Sequence, residues 1–599
     1  MIVLLLLLGL PGRLCELLLP DARSRPLLIR LTLWLGLSPA VIALIYLWLA
    51  NLGFALHDRL LGTLVVGVLI LNAASLFRIR RRQSILPPRR TLLWWGVGLG
   101  VMGLTFWTRY EQAAGLVLPV WVDSVHHTLL VRLIAERGVP PFDLNPFLPI
   151  DQLIYHWGYH AFLATQIRLT NDTALFAVPQ LLLWSGQLLG GLQALVWGGA
   201  AYYFWRRPAA AVAAALVVGL VSIMPAYYLS WGRYTLLTGM LMLPAALVLA
   251  DLALGRARRA LRLGALLLAG LSLVHFVVLL FALAWCGVLA VLRGRRAVAD
   301  LALLAGLTLV LVFPWFTLLL TQVRPGSGSA AQHVVGNPFY NQLPQALLWA
   351  GHNRLLLALG GGGALLALRA RSHAAMVATL LIWCLAIVML ANPTLLGLPY
   401  LSLITNEFVT ITMFAPIALL IAAGVGVLDT QIGRRSRYAA MLGVLLLALA
   451  CAAGFRSVVR ADTIIATAAD RDAIVWAAGA IPPDARVAVN TAGWLNDVDR
   501  GADGGWWLLP LTGRQVSTPP VIYNYGVPEY TAAVKRETSE LRNLAGDPAA
   551  AADFMRRYGY TYAYATDAGP AFKRAAMAGS ALFEERYRNT AISIFRLVQ

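Results

Sequence analysis

The sequence predicts a polytopic α-helical membrane protein of about 14 transmembrane helices followed by an extracytoplasmic α/β domain, and three observations carry that reading. Of 599 residues, 59% are hydrophobic and 13% charged, with a mean hydropathy of +0.71. Apolar runs repeatedly reach the roughly 20 residues that cross a bilayer. Arginine clusters recur between those runs in a pattern that keeps every cluster on one side of the membrane.

Taken in order, the apolar runs are 1–19, 28–50, 60–77, 91–109, 174–205, 209–229, 234–254, 261–276, 277–292, 299–320, 354–368, 374–391, 408–428 and 439–457. The first, MIVLLLLLGLPG, lacks the basic flank and small-residue cleavage site of a signal peptide, so it reads as a span. With this order, Arg23/Arg25, Arg78 to Arg82 with Arg89/Arg90, Arg206/Arg207, Arg256 to Arg262, Arg293 to Arg296, Arg369/Arg371 and Arg434 to Arg437 share a face. That face is the cytoplasmic one. A span miscounted early would send later clusters alternately to the wrong side.

The loops at 110–173, 321–353 and 392–407 then face outward, as does the tail from about 460. The net charge of +20 suggests a nucleic-acid partner until it is located. From Arg460 onward there are 15 basic and 15 acidic residues, so the excess of 33 over 13 lies in the membrane part. It is a topology signal, and a nucleic-acid partner is disfavoured. Cys15, Cys286, Cys384 and Cys451 fall singly in apolar runs and suggest neither a metal knuckle nor a disulfide framework. The division is therefore 1–459, a multi-span domain with an outer loop 110–173, and 460–599, a soluble α/β domain. In the latter, RDAIVWAAGAIPPDARVAVN reads as a helix, a Pro-Pro turn and a strand, and TYAYAT and ISIFRLV read as strands. The stretch PGSGSA at 325–330 reads as a mobile loop tip.

The outer loop concentrates the chemistry. Between Trp121 and His160 it carries Asp123 and four of the nine histidines, His126, His127, His156 and His160. Ionisable groups at one level of a membrane protein mark a functional site, because each is costly against lipid. A partly desolvated Asp123 holds its proton more strongly, which suits a general base acting on an acceptor hydroxyl. If the leaving group is a phosphate, already stable as an anion, no partner acid is needed, unlike the paired carboxylates of glycosidases. The competing reading makes Asp123 the cap of the helix that follows.

In that helix, HTLLVRLIAERG, Leu129, Leu130, Leu133 and Ile134 recur at helical spacing, as in an amphipathic helix lying in the membrane interface. His126 and His127 follow Asp123 by three and four residues, so one shares its face. Asp123 with His127 is a candidate pair for a divalent ion, with Glu407, Asp143 and Asp151 as further available carboxylates. In YHWGYH, the four-residue spacing puts His156 and His160 on one helical face and Tyr155 beside them; an interfacial aromatic belt is the alternative. In SWGRYTLLTG, Arg233 is suited to bidentate phosphate contact and Tyr234 to an apolar or sugar-binding wall, against a headgroup anchor. His275, at an outer turn, and Glu407, in ITNEF, are the remaining ionisable groups at that level.

This arrangement resembles bacterial membrane glycosyltransferases of the GT-C superfamily: an Asp in a long first outer loop, a helix, a Gly-Val-Pro-Pro turn, then Tyr-His-Trp-Gly-Tyr-His leading into the next span. Relatives include protein O-mannosyltransferases, aminoarabinose transferases and oligosaccharyltransferases. DARVAVN, DGGWWLLPLTGR and ISIFRLV are similar to the soluble tail of uncharacterised members. The resemblance covers most of the chain in layout, but only the first loop and parts of the tail in motif. It implies a polyprenyl-phosphate sugar donor, an acceptor hydroxyl on an envelope glycan, lipid or protein, and Asp123 as base. The chain departs from many relatives in having a single Asp rather than an adjacent acidic pair, and a double His instead. The departure leaves a divalent ion and the donor sugar open. Trp506, Trp507 and Tyr523 are expected either to grip the acceptor or to form a core. The alternative function is a transporter or flippase for a lipid-linked or anionic solute, which requires ionisable groups at mid-membrane depth. A protein that only presents its outer domain to an envelope partner is the third.

Overall fold

The computed structural model describes residues 1–19, 25–77, 88–255, 257–322, 341–371, 373–495 and 498–598. The stretch 325–330 and the arginines at 78–82 lie outside the described residues.

The protein is a multi-pass membrane protein, since ten helices among the described residues are long and apolar enough to cross a bilayer. Four further helices occupy predicted spans without meeting that standard. Ile2–Glu16, Arg258–Val274 and Asn353–Arg369 have 15, 17 and 17 residues. Ala177–Trp205 is long enough, but Gln180, Gln187 and Gln193 lower its apolarity. Ile2–Glu16 packs Leu4, Leu7 and Leu8 into the bundle, and Arg13 donates to Asn72.

Contacts define the two ends of the bundle. At one, Asp429 pairs with both Arg90 and Arg437, and Asp251 pairs with Arg293. At the other, the outer loop meets the C-terminal domain: Trp121 N–H donates to the Thr463 carbonyl at 2.9 Å, and Arg132 to that of Pro510 at 3.0 Å.

In the C-terminal domain, Ala468–Ala480 begins with a capping box in which Thr467 and Asp470 satisfy each other's backbone N–H groups. Its strands are β1 (Val487–Ala488), β2 (Thr491–Gly493), β3 (Asp499–Gly501), β4 (Tyr562–Thr566), β5 (Phe583–Arg588) and β6 (Ile592–Leu597). The main sheet has the order β1-β4-β6-β5, parallel only between β1 and β4, while β2 and β3 form a separate antiparallel pair. Trp506, Trp507 and Tyr523 are each 0% exposed. They are core residues and cannot grip an acceptor.

Helix Val122–Arg137 differs from its expected place in the membrane interface. Val131 and Ile134 join the transmembrane core, whereas Val125, Leu129, Leu130 and Leu133 join the core of the C-terminal domain. The reason is that the domain, rather than lipid headgroups, covers its second apolar face. Each such aliphatic side chain contributes about 1.5–3 kcal/mol by leaving water.

Candidate functional site

Three segments deliver the site. Helix Val122–Arg137 brings Asp123 and His126, the stretch before helix Gly158–Thr170 brings Tyr155 and His156, and the turn before helix Tyr234–Ala253 brings Arg233. All five line one cavity of about 310 Å3, together with His275. Asp123 does not cap its helix. Trp121 holds the N-cap position without a side-chain hydrogen bond, and Asp123 lies in the first turn.

Glu407 pairs with Arg233, which fixes the guanidinium at the cavity wall. The rings of Trp231 and Phe408 flank the same guanidinium at 4.8 and 5.5 Å. Its Nη1 is buried without a hydrogen-bond partner among the described residues. An arginine held on one side and unsatisfied on the other is prepared for an anion.

Desolvation raises Asp123 to about 7, with nearby Glu407 adding to the effect and Arg233 opposing it. Burial pushes His126 and His156 down to about 3, so both are neutral near pH 7 and act as hydrogen-bonding groups. His126 Nε2 lies 3.3 Å from the Tyr155 hydroxyl, and His156 Nε2 lies 3.0 Å from the Thr235 hydroxyl. Tyr155 stacks on His156 with centroids 4.1 Å apart, and His156 meets His275 at 4.8 Å.

The remaining candidates stand behind this wall. His127 Nδ1 lies 2.7 Å from His160 Nε2, and both side chains are 0% exposed. Tyr234 is buried and stacked on Tyr159. The expected shared face of His156 and His160 does not form, because the helix starts only at Gly158; His156 precedes it and turns into the cavity. His127 likewise points away from the space that Asp123 faces. Among the described residues no three His, Cys, Asp or Glu side chains converge as an ion would need. With His127 tied to His160 and Glu407 tied to Arg233, the expected pair of Asp123 and His127 does not come together around an ion.

Sequence reasoning missed the opposite wall. Trp494, Val498, Val521, Ile522, Asn524 and Tyr525 of the C-terminal domain close over the cavity. No local signal marks them, since they lie over 330 residues from Asp123 in the chain. Phe276 and Phe408, which also line it, could have been found as the neighbours of His275 and Glu407.

No protein-family model and no curated protein sequence matches the chain. Solved structures do. The arabinofuranosyltransferase AftD from mycobacteria is 16% identical with a TM-score of 0.52, over 83% of this chain and 41% of that one. The chain has the GT-C fold. ArnT from Cupriavidus metallidurans, a GT-C structure bound to undecaprenyl phosphate, is 15% identical with a TM-score of 0.48, over 85% of this chain and 98% of that one. The GT-C oligosaccharyltransferase of Archaeoglobus fulgidus, tethered with an acceptor peptide, is 13% identical with a TM-score of 0.49, over 78% and 69%. A further structure of that enzyme is a complex with zinc and sulfate.

Proposed function

We propose that this protein is an inverting glycosyltransferase that moves a sugar from a polyprenyl-phosphate carrier to an acceptor hydroxyl at the outer face of a bacterial inner membrane. The observation that carries the reading is the cavity shared by Asp123 and Arg233, where bundle and C-terminal domain meet. Its setting in a GT-C fold supports it. Asp123 takes the acceptor's hydroxyl proton, and the oxygen attacks the anomeric carbon. The bond from that carbon to the phosphate oxygen breaks, and the phosphate leaves with the electron pair, its charge met by Arg233 Nη1. No step is assigned to a metal ion.

An apolar groove of about 860 Å3, lined by Leu280, Ala284, Val291, Ile382, Leu396 and Ile404 among others, supports a lipid carrier. It starts at Leu280, one helical turn beyond Phe276 of the cavity, and at Ile404, four residues before Phe408, so a tail in the groove leaves its phosphate near Arg233. The arginine-rich end of the bundle faces the cytoplasm in this reading, and residues 460–599 work outside as a second unit alongside 1–459.

The test is reconstitution with a panel of radiolabelled polyprenyl-phosphate sugars, comparing wild type with Asp123→Asn. Loss of a positioned base lowers transfer about 10²–10⁴-fold. Full-rate transfer by the variant would remove Asp123 from the mechanism. Counterflow of substrate across sealed vesicles, with no new glycosidic bond, would favour a transporter instead.

A further inference from the structure

The walls of the cavity differ in chemistry. The membrane side supplies a carboxylate, a guanidinium and three imidazoles, whereas the described residues of the C-terminal domain that line the space supply two rings, an amide and aliphatic side chains, with no charged group among them. Trp494 is partly exposed, as are Asn524 and Tyr525. The Tyr525 ring meets that of Tyr155 edge-on with centroids 5.7 Å apart. Burial, with nearby Asp123 adding to it, raises the Tyr525 phenol to about 12, so it stays a neutral hydrogen-bonding group beside the carboxylate.

We infer that this wall is the acceptor subsite and that the acceptor is a neutral glycan, its terminal sugar lying against Trp494 and Tyr525 with Asn524 reaching its hydroxyls. The inference rests on the transferase reading for the word acceptor. Its physical basis is independent. A sugar ring offers C–H groups to an indole or phenol face and hydroxyls to an amide, and needs no counter-charge. An anionic saccharide would meet Asp123 without a cation among the described residues on its own side. Trp494 and Tyr525 are specificity-determining residues in this account. The membrane wall, with Arg233, is left to the donor phosphate.

The experiment measures binding without donor. Saturation-transfer NMR on the full-length, detergent-solubilised protein uses short neutral gluco-, manno-, galacto- and arabino-oligosaccharides, with a uronic-acid oligosaccharide and a Ser/Thr peptide as contrasts. At least one neutral oligosaccharide binds, and Trp494→Ala weakens it about tenfold or more. Tyr525→Phe, which keeps the ring, weakens it less than Tyr525→Ala. If Trp494→Ala fails to fold, Trp494→Phe serves, and it retains part of the affinity. The proposal is overturned if no neutral oligosaccharide binds, if binding ignores both residues in variants that melt like wild type, or if the peptide or the uronic-acid sugar is preferred. Ring-dependent glycan binding alongside Asp123-independent transfer would reject the transferase mechanism and leave the glycan site standing. Asp123-dependent transfer without such binding would do the reverse.

Discussion

Asp123 holds its proton harder than a free carboxyl because protein surrounds it on both sides, and its closest cation, Arg233, already answers to Glu407. A base must be ionised to act. The rate of transfer is therefore expected to rise with pH through about 7 and level off above, as a profile of kcat/KM would register. The same shift carries a stability cost. A carboxyl whose folded pKa exceeds its unfolded value contributes most below the unfolded value and loses that contribution as pH rises through the folded one. Asp123→Asn should thus stabilise the protein by about 2–4 kcal/mol near pH 8, the gain vanishing below about pH 4. Thermal melts at the two pH values check this. The residue before the helix is also costly: Trp121, two positions ahead of Asp123, has φ of 66° and ψ of −178°, a region that favours glycine. The Arg500 guanidinium over its ring and the hydrogen bond to Thr463 hold it there.

Helices position the groups by close approach. Gly232, with φ of +67°, joins the Arg233 turn to the start of the Asp123 helix; a Cβ there would stand 2.7 Å from Ser124 Oγ and 3.0 Å from Ser124 N. Gly232→Ala is expected to force the two segments apart, costing about 1–3 kcal/mol in stability and lowering kcat more than KM, which steady-state kinetics with a working donor would reveal. The helix from Val122 ends where the Gly-Val-Pro-Pro stretch predicts, with Gly138 at φ of +72°. Its apolar spacing was legible, but what covered it was not, because periodicity reports a buried face without naming the neighbour. YHWGYH shows the same limit in reverse. The spacing implied a shared face, and a helix start two residues later separated His156 from His160.

For the whole molecule, the bundle has an arginine-rich end and an end closed by the C-terminal domain. Val527 is 56% exposed on that domain. If the domain lies outside the cytoplasm, a Val527→Cys protein in intact spheroplasts reacts with a membrane-impermeant maleimide without permeabilisation. Labelling only after permeabilisation would invert the proposed orientation. The four native cysteines are buried or partly buried, which keeps background low.

Composition and the length of the apolar runs determined the class and the places of the membrane-length helices, because the cost of exposing polar backbone to lipid acts on each segment separately. The polar residues of the outer loop marked the neighbourhood of Asp123 for the same reason. Tertiary structure alone decided which groups share a cavity: His126, His156, His275 and Arg233 with Asp123, but His127 with His160 behind the wall. It also decided that Trp506 and Trp507 are core while Trp494 and Tyr525 face the site. These outcomes depend on how the C-terminal domain packs on the outer loop, a contact between distant parts of the chain that no local spacing encodes.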